Sequence, residues 1–302
     1  MNYLIIGGVA GGATVAARLR RMDEKANIIL FERGKYVSYA NCGLPYYIGD
    51  TINNREKLFV QTAKGFTDRF RIDIRTEQEV TAIRPDKKEV EIKNLSTGET
   101  YTETYDKLVL SPGAEGIGSK KIFTLRNVPD TDTIKNYVNT ENPKRAIVVG
   151  GGFIGLEMAE NLHDLGIQVD VVEMANQVMA PLDFSMAAIV HRQLTDKGVG
   201  LHLEDGVSRF EEKDGGVTVH LRSGKQIATD MVLLSIGVRP ETKLAKDAGL
   251  AIGERGGIAV NDYMQTSDAD IYALGDAVEV RHLVTGQPAL IPLAGPANKQ
   301  GR

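Results

Sequence analysis

Cys42 is the only cysteine among 302 residues, and it stands in the run Ser38 to Asp50, SYANCGLPYYIGD. Ser38, Asn41 and Gly43 are residue types of turns and helix starts. Pro45 suits a first helical turn, where its missing N–H costs nothing. A thiol at such a helix N-terminus faces unpaired N–H groups and the positive end of the dipole, which favours thiolate. The opposing reading is a small buried hydrophobe, the commoner fate of a lone cysteine. With no C-x-x-C partner in the chain, a reacting Cys42 forms a mixed disulfide rather than an internal one.

Two glycine-rich stretches point to dinucleotides. Tyr3 to Ile6 reads as a buried strand, followed by Gly7-Gly8-Val9-Ala10-Gly11-Gly12 and an Ala- and Arg-rich helix to about Met22. Strand, glycine turn and helix seat a pyrophosphate at the helix N-terminus. Ile28 to Phe31 reads as the next strand, ended by Glu32, where an acid accepts hydrogen bonds from a ribose. Val9 stands where the pattern wants its central glycine, so a plain tight turn is the alternative. The second stretch is complete. Arg145 to Val149 is a strand, Gly150-Gly151-Gly152-Phe153-Ile154-Gly155 the turn, Leu156 to Leu165 a helix capped by Gly166, and Val169 to Val172 a strand ended by Glu173. Glu173 prefers a free 2′-hydroxyl to a phosphate, which favours NADH, with NADPH the alternative.

The first helix has two faces. Val15, Leu19 and Met22 follow i, i+4, i+7 and are expected in the core. Thr14, Arg18 and Arg21 form a neighbouring stripe whose guanidinium forks could hold the phosphates of a second ligand. A solvated basic face balanced by Asp23 and Glu24 is the competing reading. Arg69 and Arg71 lead toward a strand near Ile72 to Arg75. Strand-to-turn exits follow at Ser111-Pro112-Gly113-Ala114 and at Ile236-Gly237-Val238-Arg239-Pro240. Thr266 to Asp276 reads as a short strand that delivers Asp276 to the sheet edge where doubly wound folds bind ligands. That carboxylate could accept from a polyol such as a ribityl chain, or it could be a helix N-cap.

The two glycine turns lie about 143 residues apart and share strand, helix and terminal acid, so they read as two copies of one domain type. The first copy is interrupted, and the strand ending at Asp276 fits back beside it. The expected fold is therefore α/β: two Rossmann-like dinucleotide-binding domains, the second inserted into the first. Residues 1–115 and 246–302 form the first domain and residues 116–245 the second. Composition agrees, with 42% hydrophobic and 25% charged residues in a chain long enough for about two domains. A net charge of −4 suggests neither nucleic acid nor an anionic membrane as partner. The N-terminus lacks a basic start and no apolar run approaches ~20 residues, so neither signal peptide nor membrane span is expected. One cysteine argues for a reducing compartment, the cytoplasm.

Several motifs together resemble the pyridine nucleotide–disulfide oxidoreductases. They are Gly7 to Gly12 with the valine included, Asn41-Cys42-Gly43-Leu44-Pro45-Tyr46, Ser111 to Ala114, Gly150 to Glu157, Gly237 to Pro240, Thr266 to Asp276 and Pro292-Leu293-Ala294-Gly295-Pro296-Ala297-Asn298. Within the family the chain is similar to the single-cysteine branch, the coenzyme A disulfide reductases, including those that carry a rhodanese domain. The resemblance implies FAD at the first turn, with Glu32 on its ribose, Asp276 on its ribityl chain, and Arg33, Val80, Ser111, Pro112, Gly113, Gly275, Pro292 and Leu293 around it. NADH is implied at the second, held by Gly150, Gly152, Phe153, Ile154, Gly155, Glu157, Glu173 and Gly237.

By the same resemblance Cys42 sits against the flavin and cycles between thiolate and a mixed disulfide with coenzyme A. Thr14, Arg18, Arg21, Ser38, Asn41, Arg71 and Asn298 then lie near the coenzyme A site, and no metal is implied. Relatives continue beyond Gly301-Arg302 into an interface domain that makes a homodimer, so a domain fragment is expected here. Three functions compete: reduction of CoA disulfides or persulfides, an NADH oxidase or peroxidase cycling through a Cys42 sulfenic acid, and a catalytically silent FAD- and NAD-binding module.

Overall fold

The computed structural model describes residues 1–115, 121–213 and 215–302. The chain divides into two compact units. Met1–Ala40, Phe59–Glu115 and Val238–Arg302 form the first, and Asn41–Leu58 and Gly116–Gly237 the second. In chain order, the first unit carries α1 (Ala10–Met22) and α3 (Ala63–Phe70), and the second α2 (Leu44–Ile48), α4 (Val128–Glu141) and α5 (Phe153–Asp164).

Continuous apolar runs such as Leu4-Ile5-Ile6 and Ile28 to Phe31 lack the alternation of a half-exposed strand, so they must be covered on both faces. In the first unit they form a five-stranded parallel sheet in the order Ile271–Ala273, Lys107–Leu110, Asn2–Ile6, Asn27–Glu32, Asp73–Thr76. Ile6 lies opposite Phe31 on one side and Leu110 on the other, and Ala273 lies opposite Leu110. One face is covered by α1, whose Ala13, Val15 and Ala16 pack with Ile5, Leu30 and Val109. The other face is covered by Gln78–Arg84, Glu89–Asn94 and Thr100–Thr104, an antiparallel sheet. Its Val80, Ile83, Val90 and Ile92 bury against Leu4, Ile29, Phe31 and Leu108.

The second unit repeats this plan. Gly200–His202, Gln168–Val172, Arg145–Val149, Met231–Leu234 and Ile122–Thr124 form a parallel sheet in that order. Val207–Lys213, Gly216–Leu221 and Gln226–Thr229 form an antiparallel sheet, and Val217, Val219 and Ile227 pack on Ile147, Val149 and Val232. Because Ile271–Ala273 joins the first sheet beside Lys107–Leu110, the second unit is an insertion in the first, as its paired glycine turns predict.

Three details differ from expectation. Met22 is 68% exposed rather than core, because α1 ends there and the chain turns on Asp23, whose carboxylate accepts from the N–H groups of Lys25 and Ala26. Asn41–Leu58 groups with the second unit although its sequence neighbours belong to the first. The first unit resumes at Val238 rather than at residue 246, since Arg239–Pro240 pairs with Ala114–Glu115. The expected boundary at residue 116 falls on residues 116–120, outside the described residues. Among the described residues no helix is long and apolar enough to cross a membrane.

A buried ionic lock steadies the second sheet just before Glu173. Asp170, 6% exposed, accepts from Arg145 Nε and Nη2 at 3.1 and 2.9 Å and lies 2.9 Å from His202 Nε2, so one carboxylate ties three adjacent parallel strands. Burial pushes the Asp170 pKa up, but the hydrogen bonds from His202 and Arg145 outweigh it and hold it below the usual carboxylate range. A depressed carboxylate contributes stability above its unfolded pKa and loses it as pH falls through the folded value. Asp170→Asn is therefore expected to cost about 2 kcal/mol at neutral pH. In thermal unfolding across pH 7 to 3, its deficit against wild type should shrink below about pH 4. A deficit that stays constant over that range would refute the lock.

Candidate functional site

Each unit carries the same device at one strand-to-helix turn, Asn2–Ile6 into α1 in the first and Arg145–Val149 into α5 in the second. Gly7 and Gly150 have φ of +95° and +107°, a left-handed region that favours glycine. A Cβ on Gly7 would run into the Ser111 carbonyl, and one on Gly150 into that of Ser235. Added carbons on Gly12 and Gly155 would strike the carbonyls of Gly7 and Gly150, so helix and turn approach as only glycine permits.

A carboxylate then pins each turn. Glu32 accepts from Gly8 N–H at 2.8 Å and Gly34 N–H at 2.7 Å; Glu173 accepts from Gly151 N–H at 2.7 Å and Ala175 N–H at 2.8 Å. Burial raises the Glu32 pKa, against the lowering pull of the Gly34 and Gly8 hydrogen bonds.

The helices that follow start without a side-chain cap and without acid in their first turn, leaving backbone donors for an anion. Val9 is the N-cap of α1 and Gly152 that of α5. A Cβ on Gly152 meets no protein atom within 4 Å, so nothing in the protein's own packing demands glycine there. Open space before a row of free N–H donors, with a fixed carboxylate at the neighbouring strand end, fits a dinucleotide: the donors take the pyrophosphate and the spare lone pairs of the acid take ribose hydroxyls. Phe153 and Ile154, 53% and 39% exposed, open α5. Burial raises the Glu157 pKa one turn on, and repulsion from Glu160 adds to it.

Around the first turn, Ser111 donates its N–H to the Ile6 carbonyl, Pro112 follows, and Gly113 takes φ +77°. Gly275 takes φ +79° and donates to Gln300 Oε1 at 2.8 Å. Asp276 lies in the 3₁₀ turn Gly275–Ala277 that follows the strand Ile271–Ala273, and Leu274 holds the N-cap position, so the aspartate is not the cap. Pro292 and the half-exposed Leu293 precede the helix Ala294–Gln300. Arg33 pairs with Glu79 at 3.7 Å. The Val80 side chain is 5% exposed and belongs to the core, so of this residue the backbone is what a ligand can meet. In the second unit Gly237 has φ +94° with nothing near its missing side chain.

Cys42 is exposed, which removes the reading of a buried hydrophobe. It lies in the 3₁₀ turn Asn41–Gly43 that runs directly into α2, with Pro45 in the first helical turn as its position predicts. The exposed Asn41 precedes it. Tyr46, on α2, has its pKa raised by burial and by the nearby charges of Glu157, Glu160 and Cys42.

Of the residues expected to bind a second ligand, Thr14, Arg18 and Arg21 lie on α1 in the first unit. Thr14 Oγ1 lies 2.8 Å from Asn298 Oδ1, joining positions 284 residues apart. Arg18 and Arg21 project from the helix, both exposed. Among the described residues neither has an acidic partner, while Asp23 is occupied by its own turn; a self-balanced basic face is thus not what forms. Ser38 adopts φ +48° and donates its N–H to the Gly8 carbonyl, beside the turn. Arg71, the left-handed cap of α3, presents its carbonyl to Arg20 Nη2 at 2.8 Å.

Sequence reading missed Arg20 itself. It is 8% exposed and donates to the carbonyls of Phe70, Asp23, Glu24, Ala26 and Arg71. This fork fastens the end of α1, and with it the Arg18–Arg21 stripe, to the chain around Arg71. Its only signal was position: Arg20 lies four residues after Ala16, on the apolar side of the helix.

Comparison with known proteins agrees with this geometry. The family model described as pyridine nucleotide-disulphide oxidoreductase matches residues 1–301. The chain is 36% identical to the coenzyme A disulfide reductase of Staphylococcus haemolyticus, across 99% of this chain and 68% of that protein. Among solved structures, reduced Bacillus anthracis CoADR-RHD matches at 55% identity with a TM-score of 0.97 over 100% of this chain and 55% of that one. A NAD-dependent persulfide reductase from A. fulgidus matches at 38% identity with a TM-score of 0.95, over 100% of this chain and 58% of that one. Thus the chain spans little more than half the length of either solved relative. Two glycine turns pinned in one manner, one exposed thiol and a match along almost the whole sequence place this chain in the pyridine nucleotide-disulphide oxidoreductase family.

Proposed function

We propose that this protein is an FAD-dependent, NADH-using reductase of coenzyme A disulfides or persulfides, with Cys42 as its reacting thiol. The observation that carries the reading is a single exposed cysteine in a chain with two dinucleotide turns and an arginine stripe that, among the described residues, lacks acidic partners. The names of its relatives, coenzyme A disulfide reductase and persulfide reductase, support the same substrate class.

In this reading the Cys42 thiolate attacks one sulfur of a CoA disulfide, forms a Cys42–S–S–CoA bond and expels the other CoA as thiolate. The chemistry that bound FAD would supply is two-electron transfer from NADH to that mixed disulfide. Its cleavage returns Cys42 thiolate and the second CoA thiol, so one NADH and one proton account for two thiols. With a persulfide the same attack leaves sulfur to depart as sulfide.

Glu32 and Glu173 orient the riboses of FAD and NADH, and the carboxylate of Glu173 disfavours a 2′-phosphate, with NADPH as the weaker alternative. Arg18, Arg21 and Arg71, with Thr14, Ser38, Asn41 and Asn298, hold the CoA phosphates and pantetheine; forked guanidinium groups suit phosphate in both shape and charge. The single thiol fits a reducing compartment, the cytoplasm.

Three outcomes check this reading. The purified protein, offered FAD, should show a visible flavin band that bleaches with one equivalent of NADH under argon. Its mass should rise by one CoA on Cys42 after exposure to CoA disulfide, and Cys42→Ser should abolish that adduct. A bleaching flavin with an oxidised, adduct-free Cys42 would favour the oxidase reading instead. The double variant Arg18→Ala, Arg21→Ala should weaken CoA disulfide by about tenfold or more while NADH still bleaches the flavin at the wild-type rate; unchanged affinity would remove the stripe from the site. Because a Cβ on Gly152 meets open space, Gly152→Ala should keep the wild-type melting temperature. It should also raise the NADH concentration for half-maximal bleaching by about tenfold. A variant that melts early instead would make Gly152 a packing residue.

A further inference from the structure

The segment that carries Cys42 cannot hold its own shape. Helix α2 has five residues, far below the length at which an isolated helix persists in water. Its conformation, and hence the direction in which the preceding 3₁₀ turn presents the thiol, must come from the rest of the second unit. Leu44 and Ile48 bury themselves to 2% and 1% exposure, but apolar contact alone is non-directional.

Directional contacts come from one face of α4. Lys135, its side chain 14% exposed, donates to the Tyr47 carbonyl at 2.7 Å and lies 3.4 Å from that of Ile48. It meets Asp50 Oδ1 at 2.6 Å and sits 4.7 Å from the Tyr47 ring centroid. The ammonium therefore closes the C-terminal end of α2, where orphan carbonyls and the negative end of the dipole favour a cation. It also engages Asp50, whose φ of +62° is a strained value for a residue other than glycine. One turn earlier on α4, Asp132 takes a two-pronged hydrogen bond from Arg55, Nε to Oδ1 at 2.8 Å and Nη2 to Oδ2 at 2.7 Å. On the other side α5 closes the grip. A Cβ on Gly49 would collide with Asn161, which is 3% exposed and donates to the Glu157 carbonyl at 2.8 Å.

We infer that Lys135, seconded by Asp132, is a positioning residue for the redox thiol: it fixes the α2 segment so that Cys42 meets a bulky disulfide in an attacking orientation. The inference rests on the reading of Cys42 as the reacting thiol. Cys42 is already exposed, so loosening the clamp does not change whether a reagent reaches it. What changes is the fraction of time the sulfur is aimed, and orientation matters most for a substrate held elsewhere along its length.

Lys135→Met, which keeps the aliphatic stem and removes the cap, tests this in the FAD-loaded chain. Amide exchange over residues 42–50 should accelerate by about tenfold while exchange in α5 stays at the wild-type rate. Formation of the Cys42–CoA adduct from CoA disulfide should slow by about tenfold, with alkylation by the small, unoriented probe iodoacetamide unchanged. Lys135→Arg, which restores charge and donors, should return both readouts toward wild type. Asp132→Asn supplies the same comparison should Lys135→Met not fold.

Wild-type exchange over 42–50 in the folded variant overturns the clamp. Faster exchange with an unchanged adduct rate overturns its positioning role, as does an equal loss in both thiol reactions, which marks general damage. If the wild-type protein itself forms no CoA adduct, the proposed substrate fails, and the exchange measurement still decides whether Lys135 holds the segment.

Discussion

The fold turns on one repeated interaction, a carboxylate at the end of a strand accepting two backbone N–H groups. Glu32 and Glu173 each bind the second glycine of a turn and a residue two positions beyond themselves. This fixes a loop built largely of glycine. A glycine-rich turn has more freedom to lose than any other segment, and an acid with charge-assisted bonds is strong enough to restrain it. The same two oxygens retain further lone pairs beside the turn they build.

Everything carbon-rich in each unit serves to place that turn. Parallel strands covered on both faces bring Ile6, Phe31 and Leu110 into register, which sets the Gly7 turn beside the Ser111 carbonyl that excludes any larger residue. In the second unit Val149, Val172 and Leu234 do the same for Gly150 and Ser235. Asp170 with Arg145 and His202, and Arg20 with its five carbonyls, are charges taken into the structure. Each is acceptable because nearly all of its hydrogen-bonding capacity is met.

The thiol is arranged differently. It stands on an exposed turn before a helix too short to persist alone, and the elements that hold that helix come more than 70 residues later in the chain, as with Arg55 and Asp132. The placement of the thiol thus depends on a segment whose shape is decided at a distance. The arginine stripe shows the same division: Arg18 and Arg21 belong to α1, but Arg71 and Asn298 are joined to that helix by Arg20 and Thr14.

Local pattern was enough to read the doubled glycine turns, their terminal acids, most strand and helix positions, and the insertion of one unit in the other. Those features are short-range: a positive φ needs glycine, an apolar run without alternation needs cover on both faces, and a repeated order of strand, turn, helix and acid repeats its fold. The chain also disclosed the lone thiol and the arginine stripe, because residue type and helical spacing are visible in one dimension.

Only the tertiary structure decided that Cys42 is exposed, that Met22 lies in solvent while Arg20 is buried, and that Asn41–Leu58 belongs with the second unit. Arg20 and the α2 segment are held by partners distant in sequence: the carbonyls of Phe70 and Arg71, the face of α4, the side chain of Asn161. Met22 is instead exposed by the local turn on Asp23. Burial of a charge and the shape of a five-residue helix are properties of what surrounds them. Spacing along the chain carries no record of those surroundings.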